Sequence, residues 1–290
     1  MRKEVSVRLA YVLPDPRSYA KWADFDADLA CMRRAGYDAV ELQIAGPDGL
    51  DEDRMRRSLD AVGYRLCAFQ TGGSYATCGN CLCTPDAAVR ERTIRLLESF
   101  VDLAKRWGSL IVFGSLQGRR TDEADRTAGS RRIVDALAKV GRYATEKGTT
   151  IMLEPVTHEE VGFNNTIAEV ADVVRKLDLP GLRMMVDTFH MNIEERDMIA
   201  PLAGVADILA HVHLSETNRD VLGEGHWPTT AFLAELERLG YRGVCSVGVY
   251  HTRRPRRDCI LRCMDYLRDR MDKGQPDNGL PPASAGSLGA

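Results

Sequence analysis

The sequence predicts an α/β protein that folds as a single closed (β/α)8 barrel. Short apolar, β-branched segments alternate with longer amphipathic segments along nearly the whole chain, and eight such pairs follow one another. No change in composition divides the 290 residues, so we expect one barrel domain over residues 1–273 rather than two domains. A doubly wound open sheet is the alternative, but no glycine-rich phosphate loop follows the first predicted strand.

The predicted strands share a high content of apolar and β-branched residues, which is typical of parallel strands covered by helices. They span residues 5–12, 38–44, 64–70, 109–115, 149–155, 182–187, 208–215 and 243–250. Between them, apolar residues recur at three- and four-residue spacing, which predicts helices that bury one face. These helices span residues 24–35, 51–62, 89–107, 130–147, 166–177, 229–239 and 257–271, with a shorter pattern around 196–205.

Glycine stands just before six of the predicted strands, where it can end the preceding helix in the left-handed conformation. These glycines are Gly36, Gly63, Gly108, Gly148, Gly181 and Gly240. Residues 274–290 are rich in Pro, Gly and Ser and cannot bury enough apolar surface to order themselves. We therefore expect a flexible, disordered tail there.

Composition excludes several classes of partner. The chain is 44% hydrophobic and 28% charged with a net charge of −3, so no basic excess favours nucleic acid or anionic lipid. No apolar run approaches the roughly 20 residues that span a bilayer. Residues 1–7 carry charges and lack the apolar core of a signal peptide, so we expect a cytoplasmic protein.

Eight cysteines without an export signal are expected to be reduced thiols. Cys78, Cys81 and Cys83 form a C-x-x-C-x-C cluster whose spacing would suit zinc or redox chemistry. No further Cys or His pair lies nearby in the sequence to complete a tetrahedral site. The sequence therefore favours a local loop feature over a metal site.

Polar residues with ligand chemistry gather at the predicted strand ends, where barrel enzymes place their active sites. The fifth strand is followed by Glu154, the sixth ends in Asp187, and the seventh contains His213. Two carboxylates and an imidazole from successive strands could converge on a divalent cation, and manganese, cobalt, zinc and magnesium all accept such ligands. Taken singly, each could instead be a solvated loop carboxylate, a helix cap or a hydrogen-bonded core histidine. His211 and His213 face the same side of their strand, so one of them could fill the core role.

Five segments carry a resemblance to a known family. They are GSLQGR at 114–119, LEPVTHEE at 153–160, VDTFHMNIEE at 186–195, HVHLSETNR at 211–219 and GEGHWP at 223–228. Together they resemble the xylose-isomerase-like TIM-barrel sugar isomerases and epimerases, in particular those of the D-tagatose and D-psicose 3-epimerase type. The resemblance covers most of residues 5–270 and is strongest from 150 to 245.

The resemblance implies a divalent-metal-dependent isomerase or epimerase acting on a ketose or related keto-sugar through a metal-stabilised enediolate. It implies that three residues bind the metal, most often manganese: Glu154, Asp187 and His213. Glu154 would also act as a catalytic acid/base. Three further residues would contact substrate hydroxyls: Glu160, His190 and Arg219. By family analogy alone, a homo-oligomer is expected.

The chain departs from the family pattern at the end of the eighth strand. There the family has a glutamate that is both the fourth metal ligand and the second acid/base, and the spacing from His213 places Gly248 at that position. Epimerisation moves a proton from one face of a carbon to the other, so losing one of two flanking carboxylates removes the usual route. Glu160 or Glu224 could supply a second carboxylate, and water or a histidine, His226 or His251, could complete the metal shell.

Other activities stay open because of Gly248. A related lyase, either a dehydratase or an enzyme that cleaves C-glycosides, needs a base on one face only. A catalytically impaired sugar-binding relative or an inactivated variant would also fit. A DNA-repair endonuclease on this barrel is disfavoured, since it needs more metal ligands and a basic surface for phosphate contacts. Thr157 and His158 replace the Asn-Arg pair usual in the family, which predicts altered substrate contacts.

Overall fold

Eight parallel strands form a closed barrel in the computed structural model, which describes residues 7–273. Each strand pairs with its neighbour in the sequence, and β8 pairs with β1 to close the cylinder. The predicted (β/α)8 architecture is therefore confirmed. The predicted tail at 274–290 and the start of the first predicted strand lie outside the described residues.

All eight predicted strands are present, most of them shorter than predicted. They are β1 Arg8–Pro14, β2 Ala39–Gln43, β3 Arg65–Gln70, β4 Leu110–Phe113, β5 Ile151–Leu153, β6 Leu182–Asp187, β7 Leu209–Ser215 and β8 Val244–Gly248. Their apolar side chains are almost entirely buried, as expected of strands packed between a barrel interior and a layer of helices.

Helices cover the outside of the barrel and also occur in its loops. In chain order they are α1 Trp22–Ala35, α2 Glu52–Val62, α3 Gly73–Cys78, α4 Ala87–Trp107, α5 Arg126–Lys147, α6 Ile167–Leu177, α7 Thr188–Glu194, α8 Ala200–Ala203, α9 Thr229–Arg238 and α10 Arg256–Lys273. The seven long predicted helices are confirmed within a few residues at each end. The short helices α3 and α7 were not predicted. Of the weaker pattern predicted at 196–205, only the four residues of α8 are helical.

Glycine ends the helices as predicted at five of the six positions, and the prediction is wrong at Gly181. Gly36, Gly63, Gly108, Gly148 and Gly240 have positive φ. In contrast, α6 ends at Asp178, which itself adopts the left-handed conformation with φ 47°. Gly181 is needed for another reason, because a Cβ there would press into the backbone of α5 at Ala144 and Thr145.

A small apolar cluster from four neighbouring strands lies apart from the main core: Ala68, Val112, Met152 and Met185. Val112 also lines the cavity described below, so apolar packing reaches the floor of that cavity. Among the helices described between residues 7 and 273, none combines the length and apolar composition needed to cross a bilayer.

Candidate active site

A cavity of about 260 Å³ opens at the end of the barrel where the strands finish. Its lining includes the last residues of β2, β3 and β6 and the residues that follow β4 and β5. Five of the six predicted site residues line this cavity: Glu154, Glu160, Asp187, His190 and Arg219. The sixth, His213, is fully buried next to them.

The three predicted metal ligands meet at the floor of the cavity. Asp187 ends β6 and stands opposite His213 of β7 in the strand register, while Glu154 directly follows β5. The His213 Nδ1 atom lies 3.6 Å from Asp187 Oδ2 and 4.0 Å from Glu154 Oε1. Gly114 makes room for the Glu154 carboxylate, because a Cβ at that position would overlap it.

A buried glutamate fixes the orientation of the His213 ring. Glu41 of β2 is fully buried, and its two carboxylate oxygens lie 2.9 Å from His213 Nε2 and 2.8 Å from His211 Nε2. Because a carboxylate accepts, Nε2 of His213 carries the proton and donates it to Glu41. When the His213 ring is neutral, its lone pair is therefore on Nδ1, the atom that faces Asp187 and Glu154.

The donor set fits a divalent cation. Among residues 7–273, His213 Nδ1 is buried without a hydrogen-bond partner, an arrangement that is costly unless a ligand satisfies the atom. Two carboxylates beside it would balance the charge of a divalent ion. The ligand atoms of Glu154, Asp187 and His190 also lie within 4.8 Å of one another, so His190 borders the same position.

The two carboxyl groups at this floor have opposite pKa shifts. Burial raises the pKa of Glu154 to about 8. Burial alone would raise the pKa of Asp187 as well, but nearby His213 and Arg219 lower it below its ordinary value. Burial would lower the pKa of His213, yet Glu41 and Asp187 raise it well above the ordinary value. One carboxyl thus keeps a proton near neutral pH while its neighbour is ionised, and the site attracts positive charge.

Arg219 and His190 form the polar wall of the cavity. Arg219 has a left-handed backbone with φ 62°, and its guanidinium lies over the ring of Phe189, 4.0 Å from the ring centre. The backbone N–H of Thr157 donates to His190 Nδ1, and burial lowers the pKa of His190 to about 4, so the neutral ring carries its proton on Nε2.

This protonated Nε2 lies 3.1 Å from an Arg219 guanidinium nitrogen. Both groups are hydrogen-bond donors, so neither can accept from the other. A ligand oxygen beside them could accept from both. Glu160 stands at the mouth of the cavity, where it accepts from Arg219 at 3.2 Å and remains 43% exposed. The wall therefore suits a ligand rich in hydroxyl groups.

Tyr250 occupies the space beside Gly248 at the end of β8. A Cβ at Gly248 would lie 2.6 Å from Tyr250 Cε2 and 3.1 Å from Ser215 Oγ, so a larger side chain needs the tyrosine to move. The Tyr250 hydroxyl accepts a hydrogen bond from Gln70 Nε2 at 3.1 Å. Burial raises the pKa of Tyr250 well above its ordinary value, so the ring presents a neutral phenol to the cavity.

The other groups that could replace the missing glutamate are placed differently. Glu224 forms an ion pair with Arg254, with both side chains about one-third exposed. His226 contacts Thr217 through Nδ1 at 3.1 Å. Neither Glu224 nor His226 lines the cavity, whereas Glu160 and His251 do.

Three polar residues of this region escaped the sequence-based prediction: Glu41, Gln70 and Tyr250. Glu41 carried a usable signal, because a lone carboxylate in the middle of a predicted buried strand calls for a partner. Gln70 lines the cavity, and its buried Oε1 atom has no hydrogen-bond partner in the part of the chain that the structure describes, so it offers an acceptor to a ligand. Its position at the end of a predicted strand was the only signal in the sequence.

Comparison with known proteins identifies the family. A family model described as "Xylose isomerase-like TIM barrel" matches residues 29–270 of the chain. The chain belongs to this family. The resemblance inferred from the five sequence segments is therefore confirmed.

Proteins with sequences similar to this chain include several sugar epimerases. The chain is 31% identical over 213 residues to a ketose 3-epimerase of Arthrobacter globiformis, a match covering 73% of this chain and 72% of that protein. It is 28% identical over 237 residues to a D-psicose 3-epimerase of Ruminiclostridium cellulolyticum, covering 78% and 80%. A solved L-ribulose 3-epimerase shares the fold with a TM-score of 0.81 at 22% identity, covering 92% of this chain and 95% of that one.

Proposed function

We propose that this protein is a divalent-metal-dependent sugar isomerase or epimerase that acts on a ketose or related keto-sugar. The observation that carries the proposal is the convergence of Glu154, Asp187 and the unpartnered Nδ1 of His213 at the floor of a polar cavity. The similarity to ketose and psicose 3-epimerases supports the same class of substrate.

Glu154, Asp187 and His213 would hold the ion, and we propose manganese. Cobalt, magnesium and zinc accept the same mixture of oxygen and nitrogen ligands. A divalent ion held there stabilises the negative charge that develops on oxygen when a proton leaves the carbon next to a carbonyl. Two carboxylates and one divalent ion sum to zero charge, so the floor of the cavity would be neutral once loaded.

The remaining chemistry belongs to side chains of the cavity. Glu154 would take a proton from the substrate carbon and return it, a role that suits a carboxyl whose pKa lies near neutral pH. Arg219 and His190 would donate to the same substrate oxygen and so orient the sugar. Glu160 would accept from a hydroxyl at the cavity mouth.

Gly248 restricts which reaction these groups can perform. A single carboxylate on one face supports a proton shift between neighbouring carbons, and inversion needs a second donor on the other face. The Tyr250 phenol fills the place beside Gly248, so it is the nearest group that could serve there. The same one-sided arrangement favours a second candidate function, a lyase that removes a group beta to a carbonyl.

The experiment is an assay of the purified, manganese-loaded protein on a panel of ketoses in deuterium oxide, with products identified by NMR. Isomerase or epimerase activity gives a new sugar carrying deuterium, whereas a lyase gives a smaller or dehydrated product. We expect Glu154→Gln to reduce turnover by about 10²–10⁴-fold, the usual contribution of a general acid/base. Glu159→Gln changes an exposed carboxylate nearby and should leave turnover intact.

A second variant tests the role of Gly248. Gly248→Glu alone is obstructed by Tyr250, so the informative variant is Gly248→Glu combined with Tyr250→Ala. If neither the natural chain nor this double variant turns over any ketose, the enzymatic proposal fails and a sugar-binding relative remains. Binding of ketoses without turnover, measured by calorimetry, would identify that case.

We also propose that the protein works in the cytoplasm, because eight free thiols are typical of a protein in a reducing compartment. A small sugar is the proposed partner, and we propose neither a nucleic-acid nor a membrane partner. By analogy with other members of the family, we propose a homo-oligomer.

A further inference from the structure

Two thiols and a carboxylate meet beside α3, outside the lining of the cavity. The sulfur atoms of Cys81 and Cys83 lie 3.4 Å apart, and a carboxylate oxygen of Asp122 lies within 4.8 Å of both. Cys81 is 4% exposed and Cys83 is fully buried. Asp122 comes from the loop after β4, about 40 residues along the chain, so the sequence spacing of the cysteines gave no sign of it.

Backbone hydrogen bonds hold the two chain segments together at this point. The N–H groups of Leu82 and Cys83 donate to the carbonyl oxygens of Leu116 and Gln117, at 2.9 and 3.2 Å. The segment that carries the cysteines is therefore fixed against the turn that follows β4.

The Asp122 carboxylate is oriented by hydrogen bonds of its own. Its Oδ2 atom accepts from the backbone N–H of Arg119 and from the hydroxyl of Tyr75, both at 2.7 Å. Because Tyr75 belongs to α3, the carboxylate is positioned by groups from both segments, before any ligand binds.

A glycine keeps the space between the three ligand groups open. Gly118 has φ 97°, and a Cβ there would stand 2.5 Å from Cys83 Sγ, closer still to Cys81 Sγ and 3.3 Å from Asp122 Oδ2. Both sulfurs and the carboxylate therefore face one small region that any other residue at position 118 would fill.

Within residues 7–273, the two sulfurs have few polar partners. Cys81 Sγ and Cys83 Sγ contact each other, the carbonyl oxygen of Arg119 lies 3.7 Å from Cys83 Sγ, and the backbone N–H groups of Thr84 and Cys83 approach Cys81 Sγ. A cation between two thiolates and the Asp122 carboxylate would meet opposite charge on all three.

We propose that Cys81, Cys83 and Asp122 form a second metal site, which binds Zn²⁺. Two sulfurs and one oxygen are a donor set that zinc accepts in tetrahedral coordination, with water or the second Asp122 oxygen in the fourth position. On binding, two S–H bonds break, two Zn–S bonds form and two protons pass to solvent. The site is independent of the proposed function, since it shares no residue with the floor of the cavity.

A zinc ion at this position would stiffen one wall of the cavity. Gly73 and Ala76 of α3 line the cavity, as does Ser115 from the turn after β4. The ion would add a link between these two segments, which backbone hydrogen bonds and the contact of Arg119 with the Tyr75 ring already connect. The role is structural, and the ion need not touch substrate.

The test uses the full chain, reduced, stripped of metal by a chelator and titrated with Co²⁺ as a spectroscopic substitute for Zn²⁺. To silence the cavity site, the titration is made in an Asp187→Asn background, which removes the carboxylate that borders both His213 and His190. We expect a near-ultraviolet sulfur-to-cobalt charge-transfer band and binding of one equivalent of Zn²⁺ by elemental analysis. Both should be lost in Cys81→Ser with Cys83→Ser and kept in Cys78→Ser, which changes an exposed cysteine of the same segment.

Absence of the charge-transfer band in the reduced Asp187→Asn chain would overturn the proposal. A band that persists in the double cysteine variant would overturn it too, because the sulfurs would then come from elsewhere. If the double variant fails to fold, Asp122→Asn and each single serine variant replace it. In the Cys81→Ser variant one of the two sulfur ligands is lost, so a charge-transfer band of about half the original intensity supports the site. A band of unchanged intensity contradicts it.

Discussion

Glu41 is the residue that most changes the interpretation of the site. A carboxylate in the interior of a barrel strand costs free energy unless it is paired, and here it pairs with two histidines. Through His213 it directs the Nδ1 lone pair toward Asp187 and Glu154. We therefore infer that Glu41 positions His213 as a ligand and does not touch substrate.

Replacing Glu41 by glutamine should weaken metal binding at the cavity floor. The amide has nearly the same shape but loses the charge that holds the His213 proton on Nε2. Changes to such supporting groups commonly cost about 10–100-fold in metal affinity, and we expect a loss of this size. Titration of the metal-free protein with Mn²⁺, followed by calorimetry, measures it.

Ser246→Ala is the matched control for this change. Ser246 Oγ lies 3.1 Å from His211 Nε2 and so belongs to the same buried network without contacting His213. We expect its Mn²⁺ affinity to stay within about twofold of the natural chain, well below the loss expected for a supporting group. Equal affinities for the Glu41→Gln variant and the natural chain would show that Glu41 does not position the ligand.

The predictable part of the site consists of residues whose place follows from strand ends alone. Glu154, Asp187 and His213 were predicted because consecutive strands of a barrel present their ends to one mouth. Tyr250 was not, since its contact with Gly248 depends on how the chain turns after β8. Likewise, the pairing of Glu41 with His213 joins residues 172 positions apart, a contact that no local pattern contains.

Gly181, just before β6, allows this part of the chain to pack closely against α5. The sequence predicts that Gly181 ends the helix before β6. That helix, α6, instead ends at its cap residue Asp178, and Gly181 is needed for close packing against α5. A Cβ there would lie 2.8 Å from Ala144 C and Gly141 O, and closer to Thr145 N. These are backbone atoms of a long helix, which cannot easily yield.

Gly181→Ala should therefore destabilise the protein by about 1–3 kcal/mol, the usual cost of overpacking. Gly204→Ala is the control: Gly204 has φ −72°, and its added Cβ would meet only Pro201 O, at 3.5 Å. For that control we expect a change within about 0.5 kcal/mol. Chemical unfolding followed by circular dichroism compares the two, and similar stabilities would refute the packing argument.

Long elements were predictable and short ones were not. In a long helix such as α4, the apolar stripe continues over several turns, so the period can be recognised even where single residues depart from it. In contrast, α3 and α7 have six and seven residues, too few for a stripe to be recognised. Both lie in loops at the cavity, so the least predictable elements are those next to the candidate site.

Closure of the barrel assembles the candidate site from distant parts of the chain. Glu41 comes from β2, Glu154 follows β5, and Asp187 and His213 come from β6 and β7. The site therefore exists only in the folded barrel, and a metal bound there stabilises the folded state alone.

Loading the metal-free protein with Mn²⁺ should raise its thermal stability in a pH-dependent way. At 100 times the dissociation constant the gain is about 2.7 kcal/mol. Protons compete with the metal, because burial raises the pKa of Glu154 to about 8 and the carboxylates around His213 raise its pKa. The metal-induced shift in melting temperature should therefore grow as pH rises through about 8, and shrink as pH falls.

Differential scanning calorimetry at fixed free Mn²⁺ measures this shift from pH 6 to 9. In Glu154→Gln the shift should be smaller, and it should lose most of its increase near pH 8, since the titrating carboxyl is gone. A shift that is independent of pH in the natural chain would mean that the metal binds elsewhere.

Because Tyr250 contacts position 248, the residues tolerated at 248 depend on the residue at 250. A side chain gained at 248 while the tyrosine is present meets an occupied space, so the tyrosine must move or be replaced. Because Tyr250 also receives the hydrogen bond from Gln70, its loss leaves that amide without a partner. A change at either position alone therefore disturbs an existing contact, so we expect positions 248 and 250 to change together.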